Sequence, residues 1–127
     1  MKRKLLRFIM MLGIVLPGLA NSAVTEEDFV VKTTQNLINL CTASPQDPRY
    51  EEAVNFCQGY MVGAYHYYIA EHSKDPKNVF VCLPDPKPSR NEVVALFVAW
   101  AKANPQYMTD MPVESQLRFM SEKWPCN

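Results

Sequence analysis

The sequence predicts an all-α domain, a small bundle of about four helices that disulfides staple together. Two observations support this prediction. Apolar residues recur at helical spacing in four stretches, and loops that contain proline separate most of them. The chain also holds four cysteines, an even number that is typical of a disulfide framework in an exported protein. Helices joined by mostly short loops are expected to be antiparallel neighbours.

Residues 1–23 have the pattern of a secretory signal peptide. The segment begins with basic residues, continues with an apolar run, and ends in small residues. We expect cleavage between Ala20 and Ala23, with an uncleaved anchor as the alternative. The mature protein is then residues 24–127, a length that suits one domain with one core.

The charge of the mature chain argues against two classes of partner. The whole chain has 13 basic and 13 acidic residues. Residues 1–23 carry 4 of the basic ones and none of the acidic ones, so the mature chain has 9 basic and 13 acidic residues, a formal charge of −4. We therefore expect it to bind neither nucleic acid nor, after signal cleavage, a membrane surface.

A first helix is expected from Glu26 to Cys41. Thr25 is suited to cap it, and acidic residues follow in the first turn, where the helix dipole favours carboxylates. The interior of this segment is poor in strong helix formers. A strand over part of it is therefore the competing prediction, because β-branched residues cluster at Val30, Val31, Thr33 and Thr34.

The longest predicted helix has Asp47 as its cap, Pro48 at its first position and Ala70 near its end. Further apolar residues extend around the cylinder, so we expect this helix to have neighbours on several sides. Gly59 and Gly63 lie four residues apart, which predicts that another element packs closely there. The expected buried face repeats at helical spacing and consists of Ala53, Phe56, Cys57, Tyr60, Ala64 and Tyr67.

Residues 71–89 are predicted to form a long surface loop. Prolines at positions 76, 84, 86 and 88 exclude a helix. One apolar cluster, residues 79–83, interrupts the polar sequence, and it includes Cys82. We expect this cluster and its cysteine to fix the loop to the domain.

Two more helices follow the loop. Ser89 and Glu92 have the spacing of a capping box for a third helix, which is expected to end near Asn104 because Pro105 disfavours a helical conformation in the residue before it. The fourth helix is expected to begin near Pro112 and to lie on the surface of the bundle. Its narrow apolar stripe consists of Val113, Leu117, Met120 and Trp124.

The order of the helices suggests how the cysteines pair. Cys41 ends the first helix and Cys57 lies a few turns into the second, whereas Cys82 precedes the third helix and Cys126 follows the fourth. An up-and-down arrangement brings these pairs together. We therefore predict the disulfides Cys41–Cys57 and Cys82–Cys126, one of the three connectivities that four cysteines allow.

No group of residues has the spacing of a catalytic or metal site. His66 and His72 are six residues apart, about 240° around a helix, so they do not share a face as a chelating pair would. Disulfides account for the cysteines, and capping accounts for the carboxylates in first helical turns. We expect no enzyme activity, no metal and no cofactor. We interpret the tyrosines of the central helix as core residues, with a ligand pocket lined by them as the alternative.

Several short motifs occur in a fixed order along the mature chain. They are Cys57-Gln58-Gly59-Tyr60-Met61-Val62-Gly63, Cys82-Leu83-Pro84, a helix that ends at Asn104-Pro105, and Trp124-Pro125-Cys126. With Cys41 as the first cysteine, this set resembles the Rap/Tai family of periplasmic immunity proteins. The matched positions are scaffold, namely Cys41, Cys57, Gly59, Gly63, Cys82, Pro84 and Cys126.

The resemblance implies an all-α periplasmic domain that protects a Gram-negative bacterium against a type VI secretion effector. The implied partner is a peptidoglycan amidase, and the immunity protein would block the cleft that holds the enzyme's cysteine nucleophile. A homodimer is also implied, since family members are often dimers. The chain departs from the family pattern in the large side chains of residues 65–68 and in a long loop after them.

The connection from Asn104 to Pro112 is the candidate blocking element. It joins two well-defined helices, and its tyrosine and methionine are of the kind that enter clefts at protein interfaces. An ordinary interhelical turn is the alternative interpretation. The candidate contact residues are Gln106, Tyr107, Met108, Thr109 and Asp110.

Two other classes of protein remain as alternatives. A periplasmic chaperone of the acid-stress type would expose apolar surface when its carboxylates and His66 or His72 gain protons. The presence of only 2 histidines and a different cysteine pattern count against it. The second alternative is a structural subunit of an envelope complex.

Overall fold

A computed structural model describes residues 23–127, which form a bundle of four α-helices. They are α1 (Thr34–Cys41), α2 (Tyr50–His72), α3 (Arg90–Ala103) and α4 (Pro112–Lys123). Each of them contacts the other three. In this part of the chain the only extended pairing is an isolated bridge between Val81 and Pro125. The predicted all-α class is thus confirmed, while the predicted signal peptide lies outside the described residues except for Ala23.

The single first helix predicted from Glu26 to Cys41 is wrong. A short 3-10 helix covers Glu26–Val30, and α1 begins only at Thr34. Between them Val31 adopts a left-handed conformation with φ 52°, which ends the first segment. The β-branched cluster weakens the helix at this point, but it produces a break and not the strand that was the alternative. Thr33 then starts α1 by accepting a hydrogen bond from the backbone N–H of Asn36.

Asp28 fixes the 3-10 segment to α1. Asp28 is 4% exposed, and its carboxylate accepts hydrogen bonds from the Thr25 backbone N–H at 2.9 Å and from the Asn39 side chain at 2.8 Å. Burial acts to raise the pKa of the Asp28 carboxyl, but these bonds, with others from Asn36 and the Thr25 hydroxyl, outweigh it. The pKa therefore lies below its ordinary value.

We predict that Asp28 makes stability depend on pH in the acid range. Because its pKa is lowered in the folded state, its stabilisation is complete above the unfolded pKa of about 4 and is lost as the pH falls through the folded pKa. Asp28→Asn should lower the free energy of unfolding by about 2 kcal/mol at pH 7, and this free energy should then change less with pH below pH 4. Urea unfolding across this range measures both effects, with the exposed Glu27→Gln as control. An equal pH dependence of the free energy of unfolding in the wild type and in Asp28→Asn would contradict this role of Asp28.

The central helix α2 begins later than predicted. Its cap is Arg49, and Pro48 precedes the helix. The Asp47 carboxylate instead accepts hydrogen bonds from the backbone N–H groups of Val24 and Arg49, each at 2.8 Å. Asp47 therefore ties the start of the domain to the α1–α2 connection, a contact that the sequence pattern does not reveal.

The buried face of α2 also differs from the prediction. Of the six residues expected on it, Ala53 and Cys57 are buried, while Phe56 is 38% exposed and Tyr67 is 66% exposed. Apolar residues occur all round this helix, so the pattern did not determine its rotation. The predicted close packing at Gly59 and Gly63 is wrong as well, since a Cβ added at either glycine would meet no atom of the described chain within 4 Å. The residues that α2 buries are Ala53, Cys57, Met61 and Tyr68.

Two disulfides join the elements in the predicted pairing. Cys41–Cys57 connects the end of α1 to α2, and Cys82–Cys126 connects the long loop to the C-terminal segment. The predicted loop begins two residues too early, since α2 continues to His72. From residue 73 to residue 89 it is non-helical, as expected, apart from one 3-10 turn at Pro76–Asn78. Its apolar centre fixes it to the domain, because Val81 is 3% exposed and packs in the core.

The third and fourth helices begin where the sequence predicted. Ser89 and Glu92 form the capping box of α3, and Pro112 is the first residue of α4. The prediction that α4 lies on the surface with a narrow apolar stripe is wrong, since it packs against all three other helices. Of the predicted stripe only Met120 is buried. The residues that α4 buries are Pro112, Ser115, Gln116, Phe119 and Met120.

Candidate partner-binding site

The connection between α3 and α4 has a defined structure. The backbone N–H of Asn104 bonds to the carbonyl of Ala101, and the Asn104 side chain donates to the carbonyl of Trp100 at 2.8 Å. A 3-10 helix, Pro105–Tyr107, follows directly. Proline at its first position has no N–H to leave unpaired, so the chain turns here without losing a hydrogen bond.

Tyr107 packs against the bundle. Its ring is parallel to that of Trp100 within 2°, with ring centres 5.5 Å apart. The guanidinium of Arg118 on α4 lies 4.6 Å from the centre of the Tyr107 ring, within the range of a cation–π contact. Trp100 is itself held by a hydrogen bond from its Nε1 to Glu122, at 2.7 Å. These contacts fix the middle of the connection between α3 and α4.

The backbone of the connection is bonded to the N-terminus of α1. The first N–H groups of a helix have no partner within the helix. In this protein the N–H of Thr34 donates to the carbonyl of Asp110 at 2.8 Å, and the N–H of Gln35 donates to the carbonyl of Met108 at 3.0 Å. The buried Thr34 hydroxyl adds a bond to Ser115 at 2.7 Å. The connection is therefore fixed at both ends and in its middle.

The five candidate contact residues divide into two groups. Gln106 and Thr109 are exposed, whereas Tyr107, Met108 and Asp110 are half-buried and hold the connection in place. The sequence interpretation omitted Met111, which caps α4 and is 56% exposed. The sequence signal for Met111 was its position directly before Pro112, the proline that begins α4.

A cavity of about 260 Å³ lies between α2, α3, α4 and the end of the long loop. Tyr65 lines it, and burial together with nearby Tyr68 raises the pKa of the Tyr65 phenol. Tyr60 is half-buried elsewhere on α2, Tyr68 is buried, and Tyr67 is exposed. The tyrosines of α2 therefore do not line one common pocket.

The two histidines are separate, as their spacing suggested. His66 is exposed at the cavity, and the ring Nδ1 of His72 lies 2.8 Å from the carbonyl oxygen of Tyr68 in the last turn of α2. Residues 23–127 hold no group of three or more side chains arranged to bind a metal ion.

Most of the described chain matches the profile of one known protein family. The profile of the Rap1a immunity proteins matches residues 33–126, which include all four α-helices, both disulfides and the α3–α4 connection. The chain belongs to the Rap1a family. The resemblance to the Rap/Tai immunity proteins is thus confirmed.

Membership of the Rap1a family makes this chain an immunity protein against a secreted effector. The family and the two disulfides indicate a secreted protein. None of the helices that the structure describes is both long and apolar enough to span a membrane. Searches of curated proteins and of solved structures find no match to this chain.

Proposed function

We propose that this Rap1a protein acts in the periplasm, where it binds and occludes a peptidoglycan amidase that a type VI secretion system delivers. One observation carries the proposal. The α3–α4 connection is fixed in shape by long-range hydrogen bonds, while its exposed side chains make only one local hydrogen bond among the described residues, from Gln106 to Asn104 at 3.3 Å. The predicted signal peptide and the disulfides fit an oxidising compartment outside the inner membrane.

The rigidity of this connection supports occlusion. A flexible loop would lose conformational entropy on entering an enzyme cleft, whereas a connection already ordered by the bonds of Thr34 and Gln35 loses little. Gln106, Thr109 and Met111 would contact the amidase directly. The candidate residues Tyr107, Met108 and Asp110 would set the shape of the connection and offer their exposed edges to the partner.

The exposed face of α2 is the surface we propose for a homodimer. Phe56 and Tyr67 are exposed on this face, and the open groove at Gly59 and Gly63 lies between them. Two copies related by a two-fold axis would place the same groove on both sides of the contact, as an isologous interface requires. Closely approaching helices favour small residues at their crossing point.

The test uses an amidase encoded beside the gene for this protein. The double variant Gln106→Arg, Thr109→Arg should bind it at least about tenfold more weakly and inhibit it less, because two long cations would occupy the cleft-facing side of the connection. Both positions are exposed, so we expect stability to be unchanged. Titration calorimetry and peptidoglycan hydrolysis are the measurements, and sedimentation of the free protein reports whether it is a dimer.

The matched control is Gln46→Arg, Ser73→Arg, which adds the same charge at exposed positions outside the connection. Equal affinity of both double variants would show that the connection is not the contact. A wild-type protein that neither binds nor inhibits the neighbouring amidase would overturn the proposed function. Capture of many unrelated proteins at low pH alone would favour the acid-stress chaperone.

A further inference from the structure

The backbone nitrogen of Val24 lies against a carboxylate. Its N–H donates to Oδ2 of Asp47, in the connection between α1 and α2, at 2.8 Å. The Val24 side chain is 8% exposed and packs in the apolar core, whereas Ala23 directly before it is exposed. Among residues 23–127, Val24 is therefore the first whose side chain is buried, and a carboxylate faces its nitrogen.

The Asp47 carboxylate is charged at neutral pH. The hydrogen bond from the Val24 N–H is the largest cause of the lowered pKa of Asp47. A second bond, from the backbone N–H of Arg49 at 2.8 Å, acts in the same direction. Both carboxylate oxygens are thus held by backbone donors, so the charge has a fixed position beside the start of the domain.

The other charged groups around this nitrogen are mostly acidic. Arg49 forms an ion pair with the exposed Glu26, and Glu52 on α2 also acts on the Arg49 charge. The Asp28 carboxylate accepts a hydrogen bond from the N–H of Thr25 at 2.9 Å. Carboxylates therefore face two successive backbone nitrogens, while the neighbouring guanidinium is already paired. This arrangement favours a positive charge on the first of the two nitrogens.

Removal of the predicted signal peptide would place such a charge there. The small residues Ala20, Ser22 and Ala23 each suit the position before the cut, so the sequence leaves several choices. We propose that the cut follows Ala23 and that Asp47 is the binding site of the ammonium group created on Val24. Hydrolysis of this peptide bond consumes one water and gives a carboxylate on Ala23 and an ammonium on Val24. The assignment rests on the export that the proposed function includes.

The position of Asp47 distinguishes this cut from the others. After it, the ammonium nitrogen is the atom that already lies 2.8 Å from the carboxylate, and the exposed place of Ala23 lets water reach its other hydrogens. A cut after Ala20 or Ser22 leaves residues before Val24, and each of them moves the α-amino group up to about 3.8 Å along the chain. An ammonium adds the attraction of opposite charges to the hydrogen bond that the amide makes.

The mass of the exported protein tests the position of the cut. The full chain, residues 1–127, is produced in a Gram-negative host, and the intact mass and N-terminal sequence are determined for the protein in the periplasmic fraction. We expect the major species to begin at Val24 and to contain both disulfides. A major species that begins at position 21, 22 or 23, or that is not cut, would overturn the assignment.

A comparison of two mature forms tests the role of Asp47. Residues 24–127 and residues 23–127 are prepared with both disulfides formed, and their urea unfolding is measured from pH 6 to pH 10. Pairing with Asp47 should raise the pKa of the Val24 ammonium in the folded state above its unfolded value of about 8. The stabilisation is then complete below pH 8 and is lost as the pH rises through the folded pKa. At pH 6 we expect the folding equilibrium constant to be about fivefold larger for the form that begins at Val24.

Asp47→Asn shows whether the carboxylate causes this difference. The variant removes the charge but keeps one oxygen acceptor, so its two mature forms should unfold alike at pH 6. Glu71→Gln, which changes an exposed carboxyl near the other end of α2, is the matched control and should keep the fivefold difference. Equal stability of the two unsubstituted forms, or a difference that persists in Asp47→Asn, would refute the assignment. No amidase takes part in these measurements, so their outcome is separate from that of the amidase binding test.

Discussion

Loss of the Cys82–Cys126 disulfide is expected to lower the free energy of unfolding by about 4 kcal/mol. The two cysteines are 44 residues apart, and the chain entropy that a cross-link removes from the unfolded state grows with this separation. The bridge fixes the long loop to the segment after α4. A loss of this size is a large part of the 5–15 kcal/mol that typically stabilises a domain.

The measurement is urea unfolding of Cys82→Ala, Cys126→Ala at neutral pH without reductant. Cys82 is exposed and Cys126 half-buried, so alanine removes little packing and the change reports the cross-link. Adding reductant to this variant then breaks Cys41–Cys57, whose separation of 16 predicts a further loss of about 3 kcal/mol. A first loss below about 1 kcal/mol would show that backbone hydrogen bonds hold the segment in place without the bridge. One such bond joins the Cys82 N–H to the Trp124 carbonyl.

Tyr68→Phe is expected to destabilise the protein by about 3 kcal/mol. Tyr68 is 2% exposed, and its hydroxyl oxygen accepts hydrogen bonds from the backbone N–H groups of Phe80 and Val81, at 2.8 and 2.9 Å. Phenylalanine keeps the ring but leaves both donors unpaired in a largely buried place, and each unpaired donor costs about 1–3 kcal/mol. The same hydroxyl thus fixes the long loop against α2.

The adjacent Tyr67 provides a matched control. It is 66% exposed on the same helix, so Tyr67→Phe removes the same atom without leaving a buried donor unpaired. Its free energy of unfolding should stay within about 0.5 kcal/mol of the wild type. Amide exchange adds a local measurement, since the N–H groups of Phe80 and Val81 should exchange faster in Tyr68→Phe alone. Equal stability of the two variants would mean that these donors are satisfied in another way.

The α3–α4 connection shows how much of the site the sequence revealed. Its bounds followed from Pro105 and Pro112, because proline limits where helices end and begin. The sequence did not reveal which side chains of the connection are exposed. Tyr107 could be assigned to the bundle only once the positions of Trp100 and Arg118 were known, and these residues are brought to it by the packing of two helices.

The sequence by itself determined the helical class, the starts of α3 and α4 and the family resemblance, and it favoured the disulfide pairing that the structure shows. These depend on local signals such as capping boxes, prolines and the order of cysteines along the chain. Tertiary structure alone decided the rotation of α2 and the burial of Gln116. The reason is physical. An apolar surface all round a helix is compatible with several orientations, and only the neighbouring helices determine which side is excluded from water.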